Sequence, residues 1–262
     1  PVSAAAIAAA PDLRHIGRLG VGLDNIDVAA ATARGILVTN VPDYCFEEVS
    51  DHAVALLLAL ARGLVVADRS VKSGAWSPGE ARLRRFRELA VGLVGYGRIG
   101  RATAAKLAGF GVELLAFSPS GRTDGVAVPT PLGDLLARSD AVIITAPLTP
   151  ETHHLFDRAR IAAMKPGAVL INVSRGPIID NAALVEALAA GRLSGAGLDV
   201  IEGEPLVPRD LVDRPDVIVT PHMAFSSETA VRELRVRACE EVIRVLGGEP
   251  AHNPCNAPTP TA

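Results

Sequence analysis

At roughly 150 residues per domain, a chain of 262 residues is closer to two domains than to one. Hydrophobic residues make up 49% and charged residues 21%, with 24 Gly and 19 Pro, a globular composition that excludes disorder and collagen-like repeats. A net charge of -3 and a pI near 6.1 provide no broad positive field for nucleic acid or anionic lipid, so neither is expected as a partner. Cys45, Cys239 and Cys255 are odd in number and widely spaced, which fits neither a disulfide framework nor a metal-ligand cluster. No metal is expected, and a reducing, cytoplasmic compartment is. The longest apolar run, Ala53 to Ala61, is nine residues, against about 20 for a bilayer span.

In chain order, the apolar start PVSAAAIAAAP has no preceding basic residue and is stopped by Pro11, unlike a signal peptide. Strands are predicted at 15–20 and 36–40. A long helical stretch follows from Glu47 to Lys72, with Gly63 a possible break. Strands at 89–95, 112–117, 141–146, 168–173 and 217–220 then alternate with helices at 99–110, 131–138, 181–190 and 226–246. Several strands read as continuous apolar runs, as strands covered on both faces should, and the alternation predicts an α/β fold with a parallel sheet. Asp180 reads as an N-cap and Gly191 as the C-terminal stop of the helix between them. The tail after Leu246, GGEPAHNPCNAPTPTA, reads as an extended arm or disorder.

Gly95, Gly97 and Gly100 form G-x-G-x-x-G directly after an apolar strand and before a helix. In that context the first glycine permits a tight turn, the second lets backbone approach a pyrophosphate, and the third allows close helix packing. The next strand ends in LLAF followed by Ser118, where an acid would meet a ribose hydroxyl, and Arg122 lies four residues on. Two readings stay open there: a variable turn, or a site for the 2′-phosphate of NADP.

Three more segments each place a capable side chain at the end of an apolar strand: Arg175 in VLINVSRG, Glu204 in GAGLDVIEGEP and His222 in VIVTPHMAF. Singly, each also reads as a surface charge, a loop carboxylate or a capping histidine. Together they suggest hydride-transfer chemistry. A planar guanidinium suits a substrate carboxylate, a histidine can take and return a hydroxyl proton near neutral pH, and a carboxylate bonded to such a histidine fixes its tautomer. The remaining histidines read as bland: His15 in a strand, His52 in a helix, His153 and His154 in a loop or helix start, His252 in the tail.

GVGLDNIDVAAATARGILVTNVPDYC, EEVSDHAVALLLALAR, GLVGYGRIG, APLTPETHHL, INVSRGPIID, GLDVIEGEP and TPHMAFSSE, in this order, resemble the D-isomer-specific 2-hydroxyacid dehydrogenase family from about residue 11 to 256. The resemblance implies that Arg175, Glu204 and His222 are catalytic and that the backbone amides of Val21 and Gly22 hold a substrate carboxylate. It also implies that Arg98 and Ile99 reach the coenzyme pyrophosphate, that Asp199 contacts the nicotinamide carboxamide, and that Pro147 joins the coenzyme contacts. The expected activity is reversible reduction of a small 2-oxo acid to a D-2-hydroxy acid, with NADP favoured over NAD as coenzyme. The alternative is a dinucleotide-sensing corepressor, because PDYCFEEVSDHA and PHMAFSSE look like the C-terminal-binding-protein branch.

Two domains are expected. Residues 44–223 would form a doubly wound, Rossmann-type dinucleotide-binding domain. Residues 1–43 and 224–262 would form a smaller flavodoxin-like substrate domain, lacking the roughly 50 residues, about two βα units, with which family members begin. A homodimer is expected because Val54, Leu57, Leu58, Ala61, Leu64 and Val65 form a helical apolar stripe longer than one core consumes, and family members dimerise through this region.

Overall fold

A computed structural model describes residues 1–76 and 83–258, and the chain divides into two compact units, Pro1–Cys45 with Ser226–Ala262, and Phe46–Phe225. The division falls two residues beyond the expected boundaries at 43 and 223. The first unit begins with α1 (Ala4–Ala8), β1 (His15–Gly17), α2 (Val28–Ala33) and β2 (Leu37–Thr39), the two strands pairing in parallel. Ser3 and Asp27 cap the two helices, each accepting a hydrogen bond from an amide three residues on.

The second unit contains α3 (Phe46–Ala61), α4 (Leu64–Lys72), β3 (Ala90–Val94), α5 (Arg98–Ala108), β4 (Glu113–Phe117), β5 (Val128–Pro129), α6 (Leu132–Arg138), β6 (Ala141–Ile144), α7 (Arg158–Ala163), β7 (Ala168–Asn172), α8 (Asn181–Ala189), β8 (Leu193–Leu198), α9 (Arg209–Val212) and β9 (Val217–Val219). Its seven strands pair in parallel in the order β5-β4-β3-β6-β7-β8-β9. The four residues of β6 and all five of β3 and β7 are buried, which is why these segments read as continuous apolar runs. Asp180 caps α8 by accepting from the amides of Ala182 and Ala183, and Gly191 follows that helix at φ 66°.

One register line crosses the sheet: Phe117, Val94, Ile144, Asn172, Leu198 and Val219 are successive partners. Every strand-end position singled out in the sequence lies just beyond this line, so parallel pairing alone gathers those loops along one edge. The chain order reverses between β3 and β6, and in open α/β sheets ligands bind at such a switch point.

The expected helix over Glu47–Lys72 is two helices bent by 60°, with Gly63 between them in the left-handed conformation. Among the described residues, no single helix is long and apolar enough to cross a membrane. The apolar stripe does not behave as one surface. Val54, Leu57 and Ala61 are consumed by the unit's own core, whereas Leu64 is 56% exposed and Val66, Val71 and Trp76 are also exposed. The outward apolar residues therefore lie on α4 and at Trp76.

Asp140, at the start of β6, is a buried carboxylate that accepts from the Ala90 amide (3.0 Å), Lys165 Nζ (2.7 Å) and Arg84 (3.1 Å). Burial alone would raise its pKa, but the lysine, the amide and the arginine together hold it below the ordinary carboxylate value. A depressed pKa contributes stability at neutral pH that is lost as pH falls through the folded-state value. Asp140→Ala leaves the Ala90 amide buried without its acceptor and should cost about 1–3 kcal/mol in urea unfolding at neutral pH, with the deficit shrinking in acid.

After the second unit the chain returns as α10 (Glu228–Leu246), capped by Ser227, and packs on β1, where Val242 lies 3.0 Å from the place a Cβ on Gly17 would occupy. The tail that follows is extended and pinned rather than disordered over its described part. Asn256 accepts from the Val38 amide and donates to the Ile36 carbonyl, and the Cys255 amide donates to the Val38 carbonyl. Buried Glu241 accepts from the amides of His252 and Asn253. Residues 259–262 of the expected tail lie outside the described residues.

Candidate active site

The glycine loop is dictated by contacts that only glycine allows. Gly95 has φ 100°, and a Cβ there would sit 2.5 Å from the Ala146 amide nitrogen; a Cβ on Gly100 would sit 2.4 Å from the Gly95 carbonyl oxygen. Gly97 differs, because nothing lies within 4 Å of its missing Cβ. Gly97 is also the N-cap of α5 and supplies no side-chain acceptor, and the first turn begins with exposed Arg98 and half-buried Ile99. Thr145 donates to the Gly95 carbonyl (2.8 Å), which packs the strand end leading to exposed Pro147 against the loop.

Ser118 leaves the end of β4 with its hydroxyl 3.3 Å from that of Ser120, which also accepts from the Arg122 amide. The Arg122 side chain is exposed and makes no hydrogen bond among the described residues. This segment is tied to the glycine loop by the Tyr96 hydroxyl, which donates to Asp124 (2.6 Å). Burial first, and then that bond, push the Tyr96 phenol well above its ordinary pKa, while the same bond holds Asp124 low.

At the other strand ends, His222 Nδ1 lies 2.5 Å from Glu204 Oε1 across 18 residues of chain. His222 has φ 52°, uncommon for a residue with a side chain, and its amide bonds to the carbonyls of Asp199 and Thr220. Its Nε2 makes no hydrogen bond among the described residues. A cavity of about 620 Å³ adjoins the pair, lined by Ile201, Pro205, Val207, Val219 and Arg69 among others. Arg175 follows β7, with its guanidinium donating to the Ser174 carbonyl (2.8 Å) and its own carbonyl held by Asn172 Nδ2 (2.8 Å). The segment bearing Arg175 meets the turn bearing Glu204 through backbone: a Cβ on Gly176 would meet the Ile201 carbonyl carbon at 2.1 Å, so the two lie directly against each other.

Asp199 is 2% exposed, and its carboxylate accepts from Thr220 Oγ1 (2.6 Å) and from the amides of Met223 and Ala224 (2.9 Å each). Its observed work is to fold the 220–224 turn that carries His222. His52, read as bland in the sequence, joins this network through Thr220 Oγ1 at 2.9 Å. No local signal marks it, because its partner is 168 residues away.

In the smaller unit, Val21 and Gly22 occupy the loop after β1. Their carbonyls accept from Asn40 Nδ2 and Arg18 Nε, while their amides have no acceptor among the described residues.

A doubly wound parallel sheet with this glycine loop at its switch point defines a dinucleotide-binding α/β protein. Residues 54–224 match the NAD binding domain of D-isomer specific 2-hydroxyacid dehydrogenases. The chain belongs to the D-isomer-specific 2-hydroxyacid dehydrogenase family. It is 40% identical over 252 residues to the D-3-phosphoglycerate dehydrogenase of Mycobacterium tuberculosis (strain ATCC 25618 / H37Rv), covering 95% of this chain and 48% of that protein. The glyoxylate reductase of Pyrococcus furiosus is 41% identical over 242 residues, covering 87% of this chain and 72% of its own length. The chain thus spans about half the length of the phosphoglycerate dehydrogenases it matches. Among solved structures, the D-lactate dehydrogenase of Aquifex aeolicus complexed with NAD and lactic acid superposes with a TM-score of 0.92 at 30% identity, covering 98% of this chain and 84% of that one. The NADPH-dependent glyoxylate/hydroxypyruvate reductase of Sinorhizobium meliloti, in complex with NADP and malonate, gives 0.90 at 36%, covering 98% and 82%. The loop fits such a coenzyme: open space at Gly97 and a helix N-terminus whose N-cap has no side chain suit a pyrophosphate.

Proposed function

We propose that this chain carries the catalytic machinery for reversible reduction of a small 2-oxo acid to the D-2-hydroxy acid with NADPH or NADH. The carrying observation is the His222–Glu204 pair, with Nδ1 engaged and Nε2 making no hydrogen bond among the described residues, on the same sheet edge as the glycine loop. The coenzyme supplies the hydride when bound. His222 Nε2 gives a proton to the carbonyl oxygen and takes it back in oxidation, Glu204 holds the imidazole in the tautomer this requires, and Arg175 anchors the carboxylate and polarises the carbonyl. The amides of Val21 and Gly22 are proposed as further donors to a carboxylate, and Asp199 and Pro147 as coenzyme contacts. A panel of glyoxylate, hydroxypyruvate, pyruvate and phenylpyruvate, assayed with each reduced coenzyme, tests the reading; no turnover of any 2-oxo acid by folded, full-length protein would overturn it. The corepressor alternative finds no support among the relatives named above.

For the coenzyme we favour NADP. Ser118 stands where an acid would repel a 2′-phosphate, and the exposed Arg122 four residues on is our candidate donor to one, a charge-assisted contact worth about 1.5–3 kcal/mol. Ser118→Asp should turn preference toward NAD, and Arg122→Ala should raise KM for NADPH on the order of 10-fold or more while leaving KM for NADH unchanged. A wild type with the lower KM for NADH, and an Arg122→Ala variant changed for neither, would refute this.

A homodimer built on the dinucleotide domain is part of the same reading, since Leu64, Val66, Val71 and Trp76 leave an apolar face uncovered among the described residues. Light scattering at micromolar concentration should return twice the chain mass, and a monomer would count against it. We place the protein in the cytoplasm, where its three free cysteines would remain reduced.

A further inference from the structure

The turn after β6 and the turn after β8 bring together three side chains that the proposed reaction does not use. His154 Nε2 lies 2.9 and 3.1 Å from the two carboxylate oxygens of Glu202, 48 residues further along the chain. The His153 ring lies 4.2 Å from that of His154, tilted by 31°. One ligand atom from each of His153, His154 and Glu202 falls within 4.8 Å of the others.

The backbones that present these groups are held in place. The His153 amide donates to the Thr149 carbonyl (2.9 Å), the His154 amide to the Pro177 carbonyl (2.8 Å), and Asn181 Nδ2 to the Glu202 carbonyl (3.0 Å). His154 has φ 48°, a left-handed conformation that a side-chain-bearing residue adopts only when its surroundings impose it. A hydrogen-bonded His154–Glu202 pair alone would leave the stacked His153 ring without a role. Two imidazoles and a carboxylate, with His153 exposed and the other two half-buried, are instead a three-ligand set with an open position toward solvent.

We propose that His153, His154 and Glu202 form a binding site for a borderline transition-metal dication of the Zn²⁺ class, contrary to the metal-free expectation from the sequence. Imidazole and carboxylate ligands in this number suit Zn²⁺ and its neighbours and disfavour Mg²⁺ and Ca²⁺, which prefer all-oxygen shells. Occupancy fastens the turn after β6 to the turn that also bears Glu204. The inference stands apart from the proposed dehydrogenase activity, and its test reads metal binding directly.

Tag-free full-length protein carrying Cys239→Ser, which removes the exposed thiol, is titrated with Co²⁺ and followed by its visible ligand-field absorption. We expect one equivalent to bind, Zn²⁺ to displace it, and Mg²⁺ to leave it in place. His153→Ala and Glu202→Gln should each weaken Co²⁺ binding by more than about tenfold. His153 is exposed and Glu202→Gln preserves shape, so circular dichroism should show both variants folded. Absence of a band in the parent at millimolar Co²⁺, or variants that bind as the parent does, would overturn the site.

Discussion

His222→Ala is expected to lower kcat for 2-oxo acid reduction by about 10² to 10⁴-fold while leaving coenzyme binding near its original strength. The imidazole makes no hydrogen bond at Nε2 among the described residues and has its other nitrogen fixed by Glu204 at 2.5 Å, so deletion removes the proposed proton donor without disturbing the glycine loop at the far side of the sheet's switch point. Glu204→Gln should act differently. An amide can still bond Nδ1 but accepts less strongly than a carboxylate and can equally present its NH2, so the ring is held less firmly in one tautomer and kcat should fall by less than in His222→Ala. Arg175→Ala should raise KM for the oxo acid as well as lowering kcat, because the proposed anchor acts both before and during the reaction. Stopped-flow and steady-state rates across pH separate the three. A His222→Ala enzyme with a near-normal rate at every pH would refute acid–base catalysis by this residue.

Gly95→Ala and Gly97→Ala should both abolish coenzyme binding, but only the first should also cost stability. At Gly95 a Cβ meets the Ala146 nitrogen at 2.5 Å and the backbone stands at φ 100°, a conformation costing about 1–3 kcal/mol for a side-chain-bearing residue before any clash is counted. The loop must shift, taking the α5 amides out of register with a pyrophosphate. At Gly97 the backbone is extended and a Cβ meets nothing within 4 Å, so the apo protein tolerates it. That methyl group would instead occupy the space into which the pyrophosphate must come. Thermal unfolding combined with fluorescence titration of NADH and NADPH distinguishes the cases: a lower Tm and lost binding for Gly95→Ala, an unchanged Tm and lost binding for Gly97→Ala. Coenzyme affinity unaltered in Gly97→Ala would exclude this loop as the phosphate cradle.

The α/β class, the central strands and the glycine loop were legible in the sequence because their signals are local. Val91 to Val94 or Ala141 to Ile144 must be apolar throughout when both faces are covered, and a strand–turn–helix bend that admits no Cβ at Gly95 and Gly100 writes glycine into the chain. Placing Arg175, Glu204 and His222 at strand ends needed no more than this, since the strands are parallel and their C-terminal ends share one edge. β8 is missing from the strands predicted from the sequence. Its LSGAGL has little bulk because α3 packs closely on it, with Leu56 Cβ 3.1 Å from the place a Cβ on Gly197 would take, and that cause lies about 140 residues earlier in the chain. For the same reason the apolar stripe of α3 and α4 could not be divided into core and surface until the bend at Gly63 was known. The His222–Glu204 bond, the prop from His52 through Thr220 to Asp199, and the meeting of His153 and His154 with Glu202 were decided only by tertiary structure. Periodicity reports what a residue meets within a few turns of its own element, whereas these contacts depend on strand order and on how each crossover returns to the sheet.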